Sequence, residues 1–185
     1  MRQPVSQRVV DALTVAVAAV LVTATAGGCA HTVGGTAQRA EGSVPDPDRS
    51  YGYVDDRCGL LDDSTVQATL EANNVIRPYS GAVCQYILSR PGAATVDVTF
   101  AWFADGSLRR ERDVAAGRGA DVRDTVIERH QAFSARRDIT GAACSATAAA
   151  GTGVLSWWVQ FRGQKSGDPC VDAVKLLTAT LRSDM

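Results

Sequence analysis

TVDVTFAWF, residues 95–103, alternates without a break: Val96, Val98, Phe100 and Trp102 fall on one side of an extended chain, with Thr95, Asp97, Thr99, Ala101 and Phe103 on the other. Side chains two apart share a face of a pleated strand. The stretch therefore predicts a strand with one core face and one thinner face. Downstream, VLSWWVQF at residues 154–161 sets Leu155, Trp157, Val159 and Phe161 against Val154, Ser156, Trp158 and Gln160. Both of its faces carry apolar residues, as in a central strand covered on two sides.

Working outward from these two strands, 84–89 reads as a strand with Cys84, Tyr86 and Leu88 on one side, closed by the turn residues Pro91 and Gly92. Residues 121–128, 132–137 and 143–149 read as three more. Between the strands lie three helical segments. The first starts at Asp62, with Leu61 and Val66 as a hydrophobic staple, or at Ser64, with Gln67 completing a capping box; both starts turn Val66 and Leu70 inward, and the helix ends near Asn73 and Asn74. The second follows Ser107 as far as Ala116, with only Leu108, Val114 and Ala115 to bury, so it is peripheral and its arginines are solvated. The third has Asp168 as its cap and Pro169 at the first helical position, then Cys170, Val171, Val174, Leu177 and Leu181 along an apolar stripe. Short strands joined by turns between such helices predict an α+β fold: a mainly antiparallel sheet of about six strands with helices packed on it.

The beginning of the chain has a different character. Arg2 and Arg8 precede an apolar run at 12–26, and Ala26, Gly27 and Gly28 lead into Cys29. A run of about 15 residues is short for a spanning helix, which needs about 20; with this layout, residues 1–28 read as a lipoprotein signal peptide and Cys29 as the lipidation site. The expected location is the extracytoplasmic face of the cell membrane, through a diacyl anchor. Residues 29–57 are rich in Gly, Pro, Ser and Asp and poor in large aliphatics, the composition of a lipid-anchored flexible tether. Residues 58–185 are left as a single domain.

Five cysteines stand at 29, 58, 84, 144 and 170. With Cys29 acylated, four remain in an oxidising compartment, enough for two disulfides. Three connectivities are possible. Closeness in sequence favours Cys58 with Cys84 and Cys144 with Cys170, each closing a loop whose entropy would stabilise the domain by about 3 to 4 kcal/mol. No CxxC or paired-histidine spacing exists, so no metal ligands are expected.

Charge is uneven. Residues 41–71 hold eight acids against Arg49 and Arg57, whereas residues 109–137 hold eight arginines against five acids. The only histidines are His31, in the tether, and His130, at a turn. Neither has the neighbours that nucleophilic catalysis needs, no glycine-rich loop opens a helix, and no catalytic residue or cofactor is assigned. Trp102 and Trp157 read as core. Trp158 must point the other way, under a helix or into an open groove.

The motifs CGLL (58–61), GAVCQY (81–86), VTFAWFADGSLRRER (98–112), GAACSATAAAGTGVLSWWVQF (141–161) and DPCVDAVKLLTATL (168–181) resemble mycobacterial lipoproteins of the LprC and LprB type, an actinobacterial domain family of unknown function. The resemblance spans nearly the whole chain. It implies an envelope lipoprotein with two disulfides and supplies no catalytic residues. This chain departs from the pattern at Arg129, His130 and Gln131, where a glycine-containing turn is expected.

Two functions follow as expectations. One is a noncatalytic module that binds a lipid, glycan or peptide in a cleft between sheet and helix. The other is an adaptor or sensor lipoprotein that docks a membrane protein. In both, Trp158, Arg109 and Arg112 are the candidate contact residues, because aromatic and Arg side chains recur in binding hot spots. Nucleic acid is not an expected partner.

Overall fold

The computed structural model describes residues 44–91, 95–163 and 167–183; the expected leader, Cys29, His31 and the expected tether up to residue 43 lie outside them. A short ribbon, β1 (Tyr53–Val54) and β2 (Arg57–Cys58), precedes α1 (Asp63–Thr69). Then come β3 (Asn74–Tyr79), β4 (Val83–Ser89), β5 (Val96–Phe103), α2 (Leu108–Gly117), β6 (Asp121–Ile127), β7 (His130–Arg136), β8 (Ala143–Ala150), β9 (Gly153–Phe161) and α3 (Pro169–Arg182). Strands β3 to β9 form one sheet in the order β3-β4-β5-β9-β8-β7-β6, with every neighbouring pair antiparallel. The fold is α+β, as the sequence predicts. The main sheet has seven strands, one more than the six expected, and the ribbon is additional.

The extra strand is β3, and its omission has a physical cause. Helix α1 stops at Leu70, well before Asn73: the Glu71 N–H bonds the Ala68 carbonyl and the Ala72 N–H bonds the Gln67 carbonyl, with Glu71 at φ 54°. This is a Schellman stop whose left-handed position holds Glu in place of the usual Gly, so the sequence carries no visible punctuation there. Residues 74–79 are then free to extend. Pro78 argues against a strand but is tolerated because β3 lies at the sheet edge, where its register also shifts between Ile76 and Tyr79.

One face of the sheet holds the core. Helix α3 packs across β7, β8 and β9, and α1 packs against β3 and α3. Trp157 is buried there against Phe100, ring centroids 5.0 Å apart, and its Nε1–H donates to Thr180 Oγ1 at 2.9 Å. The N-cap of α1 is Asp62, not Ser64: Asp62 Oδ1 accepts the Thr65 N–H and the Ser64 hydroxyl, both at 2.7 Å. Asp168 caps α3 as expected, accepting the Cys170 N–H at 2.9 Å. The buried stripe of α3 is shifted, however. Ala173, Leu176, Leu177, Thr180 and Leu181 face the sheet, and Val171 is exposed. Large aliphatics were a poor guide here, because the inner positions include Thr180, tied to Trp157, and Asp172, ion-paired with Arg90 at 2.7 Å. Both expected disulfides are present, Cys58–Cys84 fastening β2 to β4 and Cys144–Cys170 fastening β8 to the first turn of α3.

The domain boundary at 58 needs correction. Tyr51 is fully buried, the Arg49 guanidinium lies over its ring, and Arg49 donates to the Ser183 carbonyl. The Arg49 carbonyl passes so close to Gly151, at φ 52°, that any Cβ there would collide with it. Residues 44–57 therefore carry part of the fold despite their polar composition, since one buried aromatic suffices to dock a short segment.

Candidate functional site

The second face of the sheet is only partly covered. Residues at the opposite phase of the pleat point here: Gln131 and Phe133 from β7, Ser145 and Ala149 from β8, Ser156 and Trp158 from β9. Helix α2 crosses this face over β6, β7 and β8. It has no fully buried residue. With so little apolar surface it cannot seat flat on the sheet, and a cleft of about 430 Å³ remains beneath it.

Four parts of the chain build the cleft: α2, the β6–β7 hairpin, β8 and the segment at Val44 and Pro45. From α2 come Leu108, Arg109 and Arg112; the two arginines are three residues apart and so share one side of the helix. The apolar lining is Val44, Pro45 and Leu108, each half-buried, over a floor of Phe133 and Ala149 that is itself buried. From the β6–β7 hairpin come Asp124, Gln131 and Arg129. Arg112 Nε and Nη2 meet Asp124 Oδ1 and Oδ2 at 2.7 and 2.9 Å, a two-pronged pair tying α2 to β6. The Arg112 hydrogen bonds hold the Asp124 carboxyl below the usual carboxylate range, and Asp124 in turn raises Arg112. Neither Arg109 nor Arg129 has a carboxylate partner among the described residues. The lining thus holds three guanidinium groups, one carboxylate and an apolar floor.

Arg129 sits in the two-residue turn joining Ile127 to His130, and both turn residues are left-handed, Glu128 at φ 46° and Arg129 at φ 67°. Such a turn matches the twist of the strands but ordinarily uses Asn or Gly. The departure from a glycine turn therefore does not spoil the hairpin; the hairpin is regular, with two strained residues in it. Glu128 is held by Arg182 of α3 at 2.7 Å, which leaves Arg129 directed to the cleft.

Of the residues expected at the site, Arg109 and Arg112 lie together in the cleft. Trp158 does not join them. It is half-buried on the open part of the same face, between Thr99 and Ser145, and takes no part in the cleft lining. Trp102 is half-buried beneath Tyr51 and Gly52. His130 is buried, its Nδ1–H donating to the Ala149 carbonyl at 2.8 Å, so the ring braces the cleft floor from behind. Asp124, Arg129, Gln131 and Phe133 were missed from the sequence. Only Arg129 left a signal, as the missing turn glycine. A wider, shallower groove of about 570 Å³ runs along α3 past Val171 and Val174, and its two cations, Lys175 and Arg182, are ion-paired with Glu71 and Glu128. Among the described residues no helix is long and apolar enough to cross a membrane.

Residues 24–183 match the DUF3558 family, described as proteins of unknown function, and the chain belongs to it. No curated protein and no solved structure matches the chain.

Proposed function

We propose that this DUF3558 chain is a cell-envelope lipoprotein of the LprC and LprB type, acylated at Cys29 and held at the extracytoplasmic face of the membrane. Its domain acts as a noncatalytic module that binds a lipid, glycan or peptide ligand in the cleft beneath α2. The observation that carries the reading is the cleft itself: an apolar floor of Phe133 and Ala149 edged by Arg109, Arg112 and Arg129. Concave apolar sites with a few convergent polar groups are the usual form of a small-ligand site. The two disulfides suit an oxidising compartment.

The test is to extract the native protein from envelopes and weigh it intact under non-denaturing conditions, beside Gln131→Trp, which fills the cleft from an exposed position. The wild type should carry a bound small molecule that the variant lacks, at unchanged melting temperature. Equal loading of the two proteins, or no loading of either, would refute the cleft. For the anchor, Cys29→Ser should shift the protein from the membrane to the soluble fraction; retention in the membrane would refute acylation at Cys29.

The open part of the second face favours a second reading, docking of a membrane protein partner. Trp158 is half-exposed there, and Phe103 and Val83 on the neighbouring strands are exposed. Trp158→Ala should leave the fold intact and abolish partner recovery on this reading, and leave the cleft ligand in place.

A further inference from the structure

We infer that the cleft takes an anion carried on an apolar stem, an alkyl phosphate or alkyl carboxylate, and that Asp124 is the gate this anion displaces from Arg112. The inference rests on the cleft being the binding site and specifies its ligand.

The charge of the lining sets the head group. Arg109, Arg112 and Arg129 face one carboxylate, Asp124, so the cleft has a net positive charge before any ligand arrives. Guanidinium forks match the oxygens of phosphate and carboxylate in pairs, as the contact of Arg112 with both Asp124 oxygens already shows within the protein. An incoming anion can replace that carboxylate on Arg112 without changing the kind of bond made. The floor sets the stem. Val44, Pro45 and Leu108, half-buried in the lining, and the buried Phe133 and Ala149 offer no side-chain hydrogen bonds, so the part of the ligand that lies on them is apolar. A volume of about 430 Å³ holds about a dozen non-hydrogen atoms at the volume of a liquid water each. That is a head group with a chain of about eight carbons inside, any longer stem leaving by the open side.

The turn supplies a separate argument. Arg129 occupies a left-handed backbone position that a glycine would hold without strain. Strained positions of this kind cluster at ligand sites, and here the side chain lines the cleft.

Calorimetric titration of the purified full chain in nanodiscs of neutral lipid, with empty nanodiscs as blank, tests the inference with octyl phosphate, octanoate, octanol and inorganic phosphate. Saturable binding of octyl phosphate or octanoate is expected, about tenfold or more tighter than octanol and inorganic phosphate, as loss of one charge-assisted contact set implies. Preference between the two anions identifies the head group, and equal affinity leaves the shared chemistry standing. Arg109→Glu should weaken the anion about tenfold, whereas Asp124→Asn should tighten it several-fold by freeing Arg112. Octanol binding as well as its anions overturns the inference, and so does weaker anion binding by Asp124→Asn at unchanged melting temperature. If Asp124→Asn melts early because α2 loosens, Arg129→Gly decides: about tenfold weaker anion binding sustains the inference, and unchanged binding ends it. A ligand lost from envelope-extracted Gln131→Trp, with no alkyl anion bound by the wild type, would refute this ligand class and leave the binding module standing.

Discussion

If the cleft binds the proposed anion, function and stability oppose each other at a single residue, Arg129. Its φ of 67° disfavours any side chain with a Cβ. Arg129→Gly should therefore raise unfolding stability in urea by about 1 kcal/mol while cutting anion binding. An unchanged or lower stability would show that the turn is unstrained. Tyr86 makes a different kind of residue-scale prediction. It is buried against Trp157, its hydroxyl has no well-formed hydrogen bond among the described residues, and burial pushes its pKa well above the usual 10.0 against the opposing pull of the Arg77 guanidinium. A raised folded value means that the folded state keeps its proton where the unfolded chain has lost it. The contribution is complete below pH 10 and is lost as pH rises through the folded value. Stability should thus decline above about pH 10, and Tyr86→Phe should flatten that decline with little change at pH 7, since it leaves no orphaned hydroxyl behind. A steep alkaline decline in Tyr86→Phe equal to that of the wild type would assign the effect elsewhere, with Tyr51, also raised by burial, as the next residue to test.

At the scale of elements, the helix starts were more legible than the helix ends. Asp168 and Pro169 announce α3 because an N-cap acts through one side chain on its own backbone, a purely local interaction. The end of α1 depends on a left-handed Glu71 that nothing in its side chain advertises. The start of α1 makes a measurable case. Bonds from the Ser64 hydroxyl and the Thr65 N–H hold the Asp62 carboxyl below its usual 3.8. A depressed folded value contributes stability above about pH 4 and loses it as pH falls through the folded value. Asp62→Ala should cost about 1 kcal/mol at pH 7, with the gap to wild type closing at lower pH. A gap that does not narrow in acid would mean that packing, not the charged cap, is what Asp62 supplies. Strands declared themselves where alternation was strong, as in β5 and β9. They stayed hidden in β3, where Pro78 and the exposed Ile76 and Tyr79 suit only an edge.

For the molecule as a whole, the segment before β1 decides where the domain begins. A chain starting at Glu41 should unfold cooperatively and match the full chain, whereas one starting at Cys58 lacks buried Tyr51 and the Arg49 contact with Ser183. The shorter chain should lose about 3 kcal/mol or more, the cost of deleting a large buried aromatic. Equal midpoints in urea would return residues 44–57 to the tether. Composition could not reveal this, because a segment poor in aliphatics reads as unstructured until a receiving surface exists, and that surface comes from β5 and the β8–β9 turn about fifty or more residues downstream. By itself the sequence determined the α+β class, the N-cap of α3 and the opposite orientations of Trp157 and Trp158, and it favoured both disulfide pairings. Each follows from local periodicity, spacing or a one-turn interaction. Tertiary structure alone decided which arginines converge. Arg109, Arg112 and Arg129 are brought to one cleft by a weakly apolar helix propped on the sheet and a strained turn beneath it, while Trp158 is left outside. Meetings between side chains on different elements depend on strand order, and no repeat along the chain encodes that order.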